Sequence, residues 1–518
     1  MSTRDVGLAV PDERVAPPSA GPSDAFVHVR AIDGSWVVDG TPTWSGGTAV
    51  DHEHGPDGVG ASWQCIEGTV RVTTDRLGFF PLYYFATATE LCLSPSLVTL
   101  LERGAPRDLD HDAIGVFLRT GWFIGDDTAF VAIRTVPRSR RFEWSRGGLR
   151  VEPPEPLADE QAIGRDEAVD GYIERFRAAI ARRLPPDGDG FVMPLSGGAD
   201  SRHILLELVR QGHPPVGVVT ARQQAWSRDV TVATELAERL GIPHTVLDGA
   251  MDAGWGQELR KNMLTNFCAD EHVWYLPVAD HLLARTRVTY DGIGGDVLSA
   301  QVDLNQAMIT GMRAGRVDEI LATVLAENHR ENVLRHAVRP EFYARIPEST
   351  ARDRLAEMIR HHLDRPNPWG AVQLATYDRR EVTLTPHSML ASLHVHSPFL
   401  DRDLVDFLMS LSPDLLLGTR FHIDTLAAAY PDFADVAYAR FLPNPRPFAS
   451  RASKVRRLPA HLALHRRVHT GSPRSTMLRT LPPIVRHPTI PGSLGTFNRR
   501  GTWLRQIELL ASGALPLR

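Results

Sequence analysis

The chain has 518 residues, 57 Lys+Arg against 62 Asp+Glu, and a formal net charge of -5. That length suits two to four domains at roughly 100–200 residues each, and the near-neutral balance gives no electrostatic drive toward nucleic acid or a membrane surface. No apolar run approaches the roughly 20 residues that span a bilayer, the first twenty residues lack the apolar stretch of a secretory signal, and three cysteines (Cys65, Cys92, Cys268) are too few for a disulfide framework or a four-cysteine zinc site. A cytoplasmic protein is the expectation.

Residues 1–24 are rich in Pro, Gly, Ser and Asp and read as a leader. From Phe26 to Val151, short apolar runs (FVHV, WVV, TVRVTTD, FPLYYF, RFEW) broken by Gly, Pro and Asp predict a β-rich domain, bounded here at 25–155. The proline-rich stretch 152–167 is a linker. The pattern then changes: a helix over Ala168–Arg183, the strand GFVMPL (190–195), the turn SGGADS, and the helical RHILLELVRQG. The strand VGVVTA (216–221), the helix DVTVATELAERLG (229–241) and the strand HTVLD (244–248) follow. Alternation of this kind predicts βαβ units and a parallel sheet covered by helices. The remainder of a second unit, 160–518, reads as mostly helical.

Arginine supplies almost all the positive charge, for Lys261 and Lys454 are the only lysines. Codon bias explains the pattern; a position that keeps lysine is still of interest, because an ammonium is compact and its pKa moves readily. Lys261 lies in a helical stretch without a motif and is expected on a solvated face.

The segment Leu195-Ser196-Gly197-Gly198-Ala199-Asp200-Ser201 sits between an apolar strand and an amphipathic helix. Adjacent glycines let backbone N–H groups approach an anion, two serines add hydroxyls, and the helix start adds its positive dipole end. Asp200 would repel phosphate alone, so Mg²⁺ is expected to bridge them. No lysine is present to hold a γ-phosphate, which points to a cradle for departing pyrophosphate. The bland alternative, a capped Gly-Gly turn, is weakened by the strand before and the strand after.

These residues resemble the PP-loop ATP pyrophosphatases. Three further segments resemble the asparagine synthetase family within them: TYDGIGGDVLSA (289–300), SPFLDRDLVDFLMSLSP (397–413) and TVRVTTDRLGFFPLYYF (69–85) with LCLSPSLVTLLE (91–102). The resemblance implies an α/β protein: an N-terminal Ntn-hydrolase-like, glutaminase-like αββα sandwich, then a PP-loop parallel sheet with a helical extension. It implies ATP and Mg²⁺ as cofactors, held by Leu195, Ser196, Gly197, Gly198, Asp200, Ser201, Val219, Gly292, Gly294 and Gly295, with Asp200 and Asp296 on the metal. The adenine is expected along the strand of Val218, Val219 and Thr220, and Asp229 either caps the next helix or helps bind nucleotide.

That family's glutaminase uses a cysteine directly after the initiator Met. Here position 2 is Ser2 and the cysteines lie in apolar strand patterns, where thiols are usually inert. The combination resembles the β-lactam synthetases, carbapenam synthetases and lasso-peptide cyclases, which join a carboxylate to an amine without glutamine. A small-molecule or peptide substrate is implied, with a precursor peptide and its protease for a cyclase, and neither nucleic acid nor membrane as partner. A homologue that binds ATP or a partner without catalysis is the alternative.

The family pattern is departed from at several points. Ile293 stands where those families place a glutamate or a tyrosine, and His394 and His396 replace the charged residues before PFLD. Either histidine could act as a base near neutral pH or be structural; Tyr290 and Glu381 are further candidates. The family's late lysine falls near Phe441, leaving Arg440 or Lys454 to take its role.

Overall fold

The computed structural model describes residues 21–139, 141–155, 159–185, 190–222, 227–249, 254–301, 304–326, 331, 334, 338–443 and 490–515. Lys454 lies outside them.

The first ten strands are β1 (Val27–Ile32), β2 (Ser35–Gly40), β3 (Thr43–Val50), β4 (Asp57–Ile66), β5 (Thr69–Thr74), β6 (Tyr83–Ala86), β7 (Glu90–Ser94), β8 (Arg134–Thr135), β9 (Arg141–Ser145) and β10 (Gly148–Glu152). They pair, always antiparallel, into two five-stranded sheets ordered β2-β1-β7-β6-β8 and β10-β9-β5-β4-β3. Side-chain alternation decides the layers. Leu91 and Leu93 of β7 share a core with Val59, Trp63, Val70, Val72, Phe142 and Trp144 of the other sheet. Cys92 between them joins the opposite core, beneath α1 (Leu97–Glu102) and α2 (His111–Thr120). The Asp110 carboxylate caps α2 by accepting from Ala113 N at 3.0 Å, and Gly121 ends it at φ 95°.

After the linker come α3 (Arg165–Ala181), β11 (Val192–Pro194), α4 (Asp200–Arg210), β12 (Gly217–Arg222), α5 (Arg228–Leu240), β13 (His244–Asp248), α6 (Trp255–Leu264), α7 (Leu276–Arg285) and β14 (Val288–Tyr290), then much later β15 (His394–His396). Strands β11, β12 and β13 pair in parallel, as do β14 and β15. The two groups abut where Thr289 Oγ1 donates to Val192 O at 2.9 Å. The spatial order is therefore β13-β12-β11-β14-β15, and the direction of winding reverses between β11 and β14. In an open parallel sheet such a reversal leaves a crevice beyond the strand C-termini, where ligands bind.

Sequence grammar divides the chain near residue 155, but the cores are continuous. The helix Ile490–Ala511 returns to the N-terminal part, where Trp503 stacks on Phe117 at 4.1 Å and Ile507 and Leu510 are buried with Ile114 and Phe267. The PFLD segment is a second tie. Asp401 is fully buried and accepts from Arg182 Nε at 3.0 Å and Arg183 Nη1 at 2.6 Å, while Arg183 Nη2 also reaches Asp57 of β4 at 2.7 Å.

Lys261 corrects the expectation of a solvated face, for it is only 1% exposed. Its ammonium donates to Ala269 O at 2.6 Å and Asp270 O at 3.2 Å, with Glu258 at 3.7 Å. The reason lies in the turn after α6, where Asn266 and Phe267 take left-handed φ values of 54° and 56°. That turn leaves buried carbonyls needing a donor, and a compact ammonium serves two of them.

Candidate active site

The two loops flanking the reversal converge. Leu195 is anchored on both sides, its N–H donating to Val219 O at 2.9 Å and its carbonyl accepting from Thr220 Oγ1 at 2.6 Å. Beyond it the chain turns tightly into α4. Ser201 Oγ accepts from Ser196 N at 3.0 Å, and Ser196 Oγ accepts from Gly198 N at 3.2 Å. Gly197 N donates to Asp229 Oδ1 at 3.0 Å. Asp229 therefore does not cap α5, a role taken by Ser227; it braces the loop. Val219 of β12 is buried with the apolar residues of α7.

The second loop follows β14. Asp291 Oδ1 accepts from Ile293 N at 2.9 Å, and Ile293 is turned into the core at 3% exposure. Gly292 and Gly295 lie against Asp200: a Cβ at Gly295 would stand 2.5 Å from Asp200 Oδ1, and one at Gly292 2.8 Å from Asp200 Cβ. Only glycine permits that approach. Gly294 takes φ +88° beneath Leu400, a backbone state that glycine adopts freely. Asp296 opens a π-helical turn, Asp296–Ala300, a form concentrated at functional sites.

Carboxylates gather here. Burial and then the charge of Asp296 push the Asp200 carboxyl well above its ordinary value, while Arg440 opposes the shift. Asp378, from the π-helical stretch Leu374–Val382, faces the same group; burial followed by Asp296, Asp200 and Asp291 raises it strongly. Neither Asp378 oxygen has a hydrogen-bond partner, nor has Asp200 Oδ1. Beneath them His422 is fully buried, with Nδ1 2.9 Å from Ser299 Oγ and 3.4 Å from Asp200 Oδ1. Burial and Arg440 hold it near pKa 3, so it is a neutral support. Asp378 and His422 belong to no sequence motif, and only the fold reveals them.

Arg440 reaches this site because its segment is tied down. Ala439 N donates to Gly197 O at 2.9 Å, Arg202 donates to Val436 O and Ala437 O, and Arg228 Nη1 donates to Leu442 O at 3.1 Å. A Cβ at Gly197 would meet Ala439 Cβ at 2.5 Å. The exposed Arg440 thus follows a residue docked on the SGGADS loop and is close enough to act on both Asp200 and His422.

The candidate bases fare differently. His394 is exposed and paired with Val288, at the strand end away from the loops. His396 packs its ring on Tyr290 at 5.2 Å, and burial with Arg183 and His394 lowers it to about 4. The Tyr290 hydroxyl donates to Arg183 O, and burial raises its pKa. Glu381 accepts from Asp270 N at 3.1 Å and Glu271 N at 3.0 Å and fixes that turn. Burial also pushes the Cys92 thiol up to about 12 and Cys268 up to about 11, and raises half-buried Cys65.

Residues 171–421, which include both loops and Asp378, match the asparagine synthase family model. This part of the chain is an asparagine synthase domain. Curated proteins similar to the chain include the tRNA-specific 2-thiouridylase MnmA of Rhodospirillum rubrum, 31% identical over 147 residues, covering 26% of this chain and 36% of that protein. The same enzyme from Thermosynechococcus vestitus is 39% identical over 61 residues, 11% of this chain and 16% of its own length. The chain thus spans about a third or less of the curated relatives it matches. Among solved structures, the U34-tRNA thiolase NcsA from Methanococcus maripaludis with its 4Fe-4S cluster aligns over 69% of this chain and 85% of its own, at 12% identity and a TM-score of 0.22. Within the synthase domain, the two glycine loops and their aspartates are the elements the fold brings together.

Proposed function

We propose that the protein is an ATP-dependent, AMP-forming amide ligase that adenylates a carboxylate and passes the acyl group to an amine. The observation that carries this reading is the meeting of the two glycine loops at the sheet reversal, with Asp200 packed against Gly292 and Gly295, the turn that leads into Asp296. The donor set fits Mg²⁺: oxygen ligands, a buried unpartnered carboxylate oxygen on Asp200, and glycines that leave room. Asp200 and Asp296 would hold the ion, which when bound supplies charge neutralisation on the phosphates.

The chain's own groups do the rest. The Ser196 and Gly198 amides, with the Ser196 and Ser201 hydroxyls, supply the loop donors to the pyrophosphate, whose oxygens replace the serine hydroxyls that now satisfy those two amides; the Gly197 amide stays on Asp229 and holds the loop in shape. Gly292, Gly294 and Gly295 let the second loop close against it. Arg440 offsets the negative charge of the departing pyrophosphate. The carboxylate oxygen bonds to the α-phosphorus as the bond to pyrophosphate breaks; the amine then forms the amide as AMP leaves.

Glutamine is not the nitrogen source in this reading, because Cys65, Cys92 and Cys268 are structural thiols within strands or core. The amine comes from the substrate itself or from solution, consistent with a natural-product or peptide ligase such as a lasso-peptide macrolactam-forming enzyme acting on a protease-trimmed precursor. A tRNA-thiolating reading, prompted by the curated relatives, is disfavoured by those same raised thiols, since sulfur transfer through cysteine needs an accessible thiolate. The test is substrate-dependent exchange of labelled pyrophosphate into ATP with the full chain. Exchange with a carboxylate or peptide supports the ligase. ATP binding without exchange across a broad carboxylate and peptide panel favours the non-catalytic alternative.

A further inference from the structure

The asparagine synthetase resemblance assigns two aspartates to the metal, and neither it nor the sequence motifs touches Asp378. This side chain is 1% exposed, and both of its carboxylate oxygens lack a hydrogen-bond partner. Every charge acting on it is another carboxylate: Asp296 first, then Asp200 and Asp291. The two arginines that follow it do not help. Arg379 donates to Gly78 O at 3.1 Å and Asp126 Oδ1 at 3.1 Å, and Arg380 donates to Thr135 Oγ1 at 2.5 Å and to Asp127 O. Both guanidinium groups turn to the N-terminal sandwich while the carboxylate faces the crevice.

A carboxylate buried without cation or donor either keeps a proton or takes up a positive ligand in its place. The tightest grouping of metal-ligand types among the described residues, His52 with Asp401 and Asp403, is already neutralised by Arg182 and Arg183. The crevice group is wider, and the one guanidinium acting on Asp200 does not act on Asp378.

We propose that Asp378 is a third carboxylate of the divalent-cation site, binding the ion together with Asp296 and Asp200. Mg²⁺ keeps several of its waters, so a carboxylate set back from the loops serves through water. Arg379 and Arg380 then have a positioning role, anchoring the Asp378 backbone to the sandwich. The proposal rests on the adenylating reading for its purpose, though its test does not.

Mn²⁺ is the probe, titrated into the full chain without nucleotide and followed by electron paramagnetic resonance and by thermal shift. Asp378→Asn is expected to weaken Mn²⁺ binding at least tenfold and to remove most of the Mn²⁺-induced rise in Tm. Its metal-free Tm should equal or exceed that of the parent, because the amide is neutral and close to the same shape. Asp378→Glu should recover part of the affinity, which separates a ligand from a residue needed only for folding. Unchanged Mn²⁺ affinity in Asp378→Asn, or a parent protein that binds no Mn²⁺, overturns the proposal. Binding of a fluorescent ATP analogue is measured in parallel: its absence from a protein that binds Mn²⁺ through Asp378 counts against the adenylating reading and leaves the cation site standing.

Discussion

The seam between the sandwich and the parallel sheet and the crevice above β11 and β14 both bury aspartates, but they treat them in opposite ways. At the seam every such carboxylate meets donors. Asp75, the aspartate of the DRLGFFPLYY segment, accepts from the amides of Leu77, Phe79 and Phe80, and Asp401 of PFLD accepts from Arg182 and Arg183. In the crevice, Asp378 and one oxygen of Asp200 have none. The two regions therefore differ not in burial but in compensation, which at the seam comes from the protein's own donors. The DRLGFFPLYY segment ties the two parts together: the Gly78 carbonyl accepts from Arg379, and the Phe79 carbonyl accepts from Thr383 Oγ1 at 2.8 Å.

The contrast can be broken by exchanging carboxylates for amides on each side. The largest effect belongs to the crevice. Asp296→Asn should lower adenylation by about 100-fold or more, the several kcal/mol a divalent cation contributes to charge stabilisation, while Tm stays close to the parent's. Pyrophosphate exchange and thermal melting check the two halves.

At the seam the same chemical change should act on stability. Asp401→Asn leaves two buried guanidinium groups poorly matched and should cost about 3 kcal/mol in urea unfolding. The pH dependence has a definite sign. Burial pushes the Asp401 carboxyl up, but Arg183 and Arg182 outweigh it and hold the group below its ordinary value. A depressed folded-state pKa gives stability that is present above the ordinary carboxylate value of about 4 and lost as pH falls through the folded one. The parent and Asp401→Asn should therefore differ fully at neutral pH and converge in acid.

Smaller effects sharpen the assignment of cations. Arg440→Ala should weaken ATP use about tenfold, about 1.4 kcal/mol, whereas Lys454→Arg should leave turnover unchanged. A loss in the lysine variant alone would move the role from the residue docked on Gly197 to the one beyond the described segment. The smallest effect is expected at Cys65: Cys65→Ser should leave ligase activity within about twofold of the parent, with no glutamine-dependent component to lose. Activity with glutamine as nitrogen source, abolished by that substitution, would reverse the reading of the N-terminal region.

Much of this organisation was legible in the chain. Short apolar runs broken by Gly, Pro and Asp predict the β-rich N-terminal part, and the family resemblance implies its two-sheet sandwich. The SGGADS and TYDGIGGD turns stood out because a plain strand-to-helix connection does not need adjacent glycines and an acid together, whereas an anion-binding loop with a bridging cation does. What was not legible depends on contacts distant in sequence. Asp378 sits in TYDRREV, which any solvated helix could contain, and only the packing of Arg379 and Arg380 on the sandwich turns it inward. Lys261 was misplaced because its helix pattern gives no hint that the turn at Asn266 and Phe267 leaves carbonyls to satisfy. Asp229 looked like a helix cap because the loop it braces lies 32 residues earlier.

The most direct measurement is product analysis with the full chain, MgATP, hydroxylamine as amine, and a panel of carboxylates and peptide acids. An adenylating ligase gives AMP and pyrophosphate in equal amounts with a matching yield of hydroxamate, and all three are lost in Asp296→Asn. Production of ADP and phosphate, or hydroxamate formation that survives Asp296→Asn, would contradict that reading.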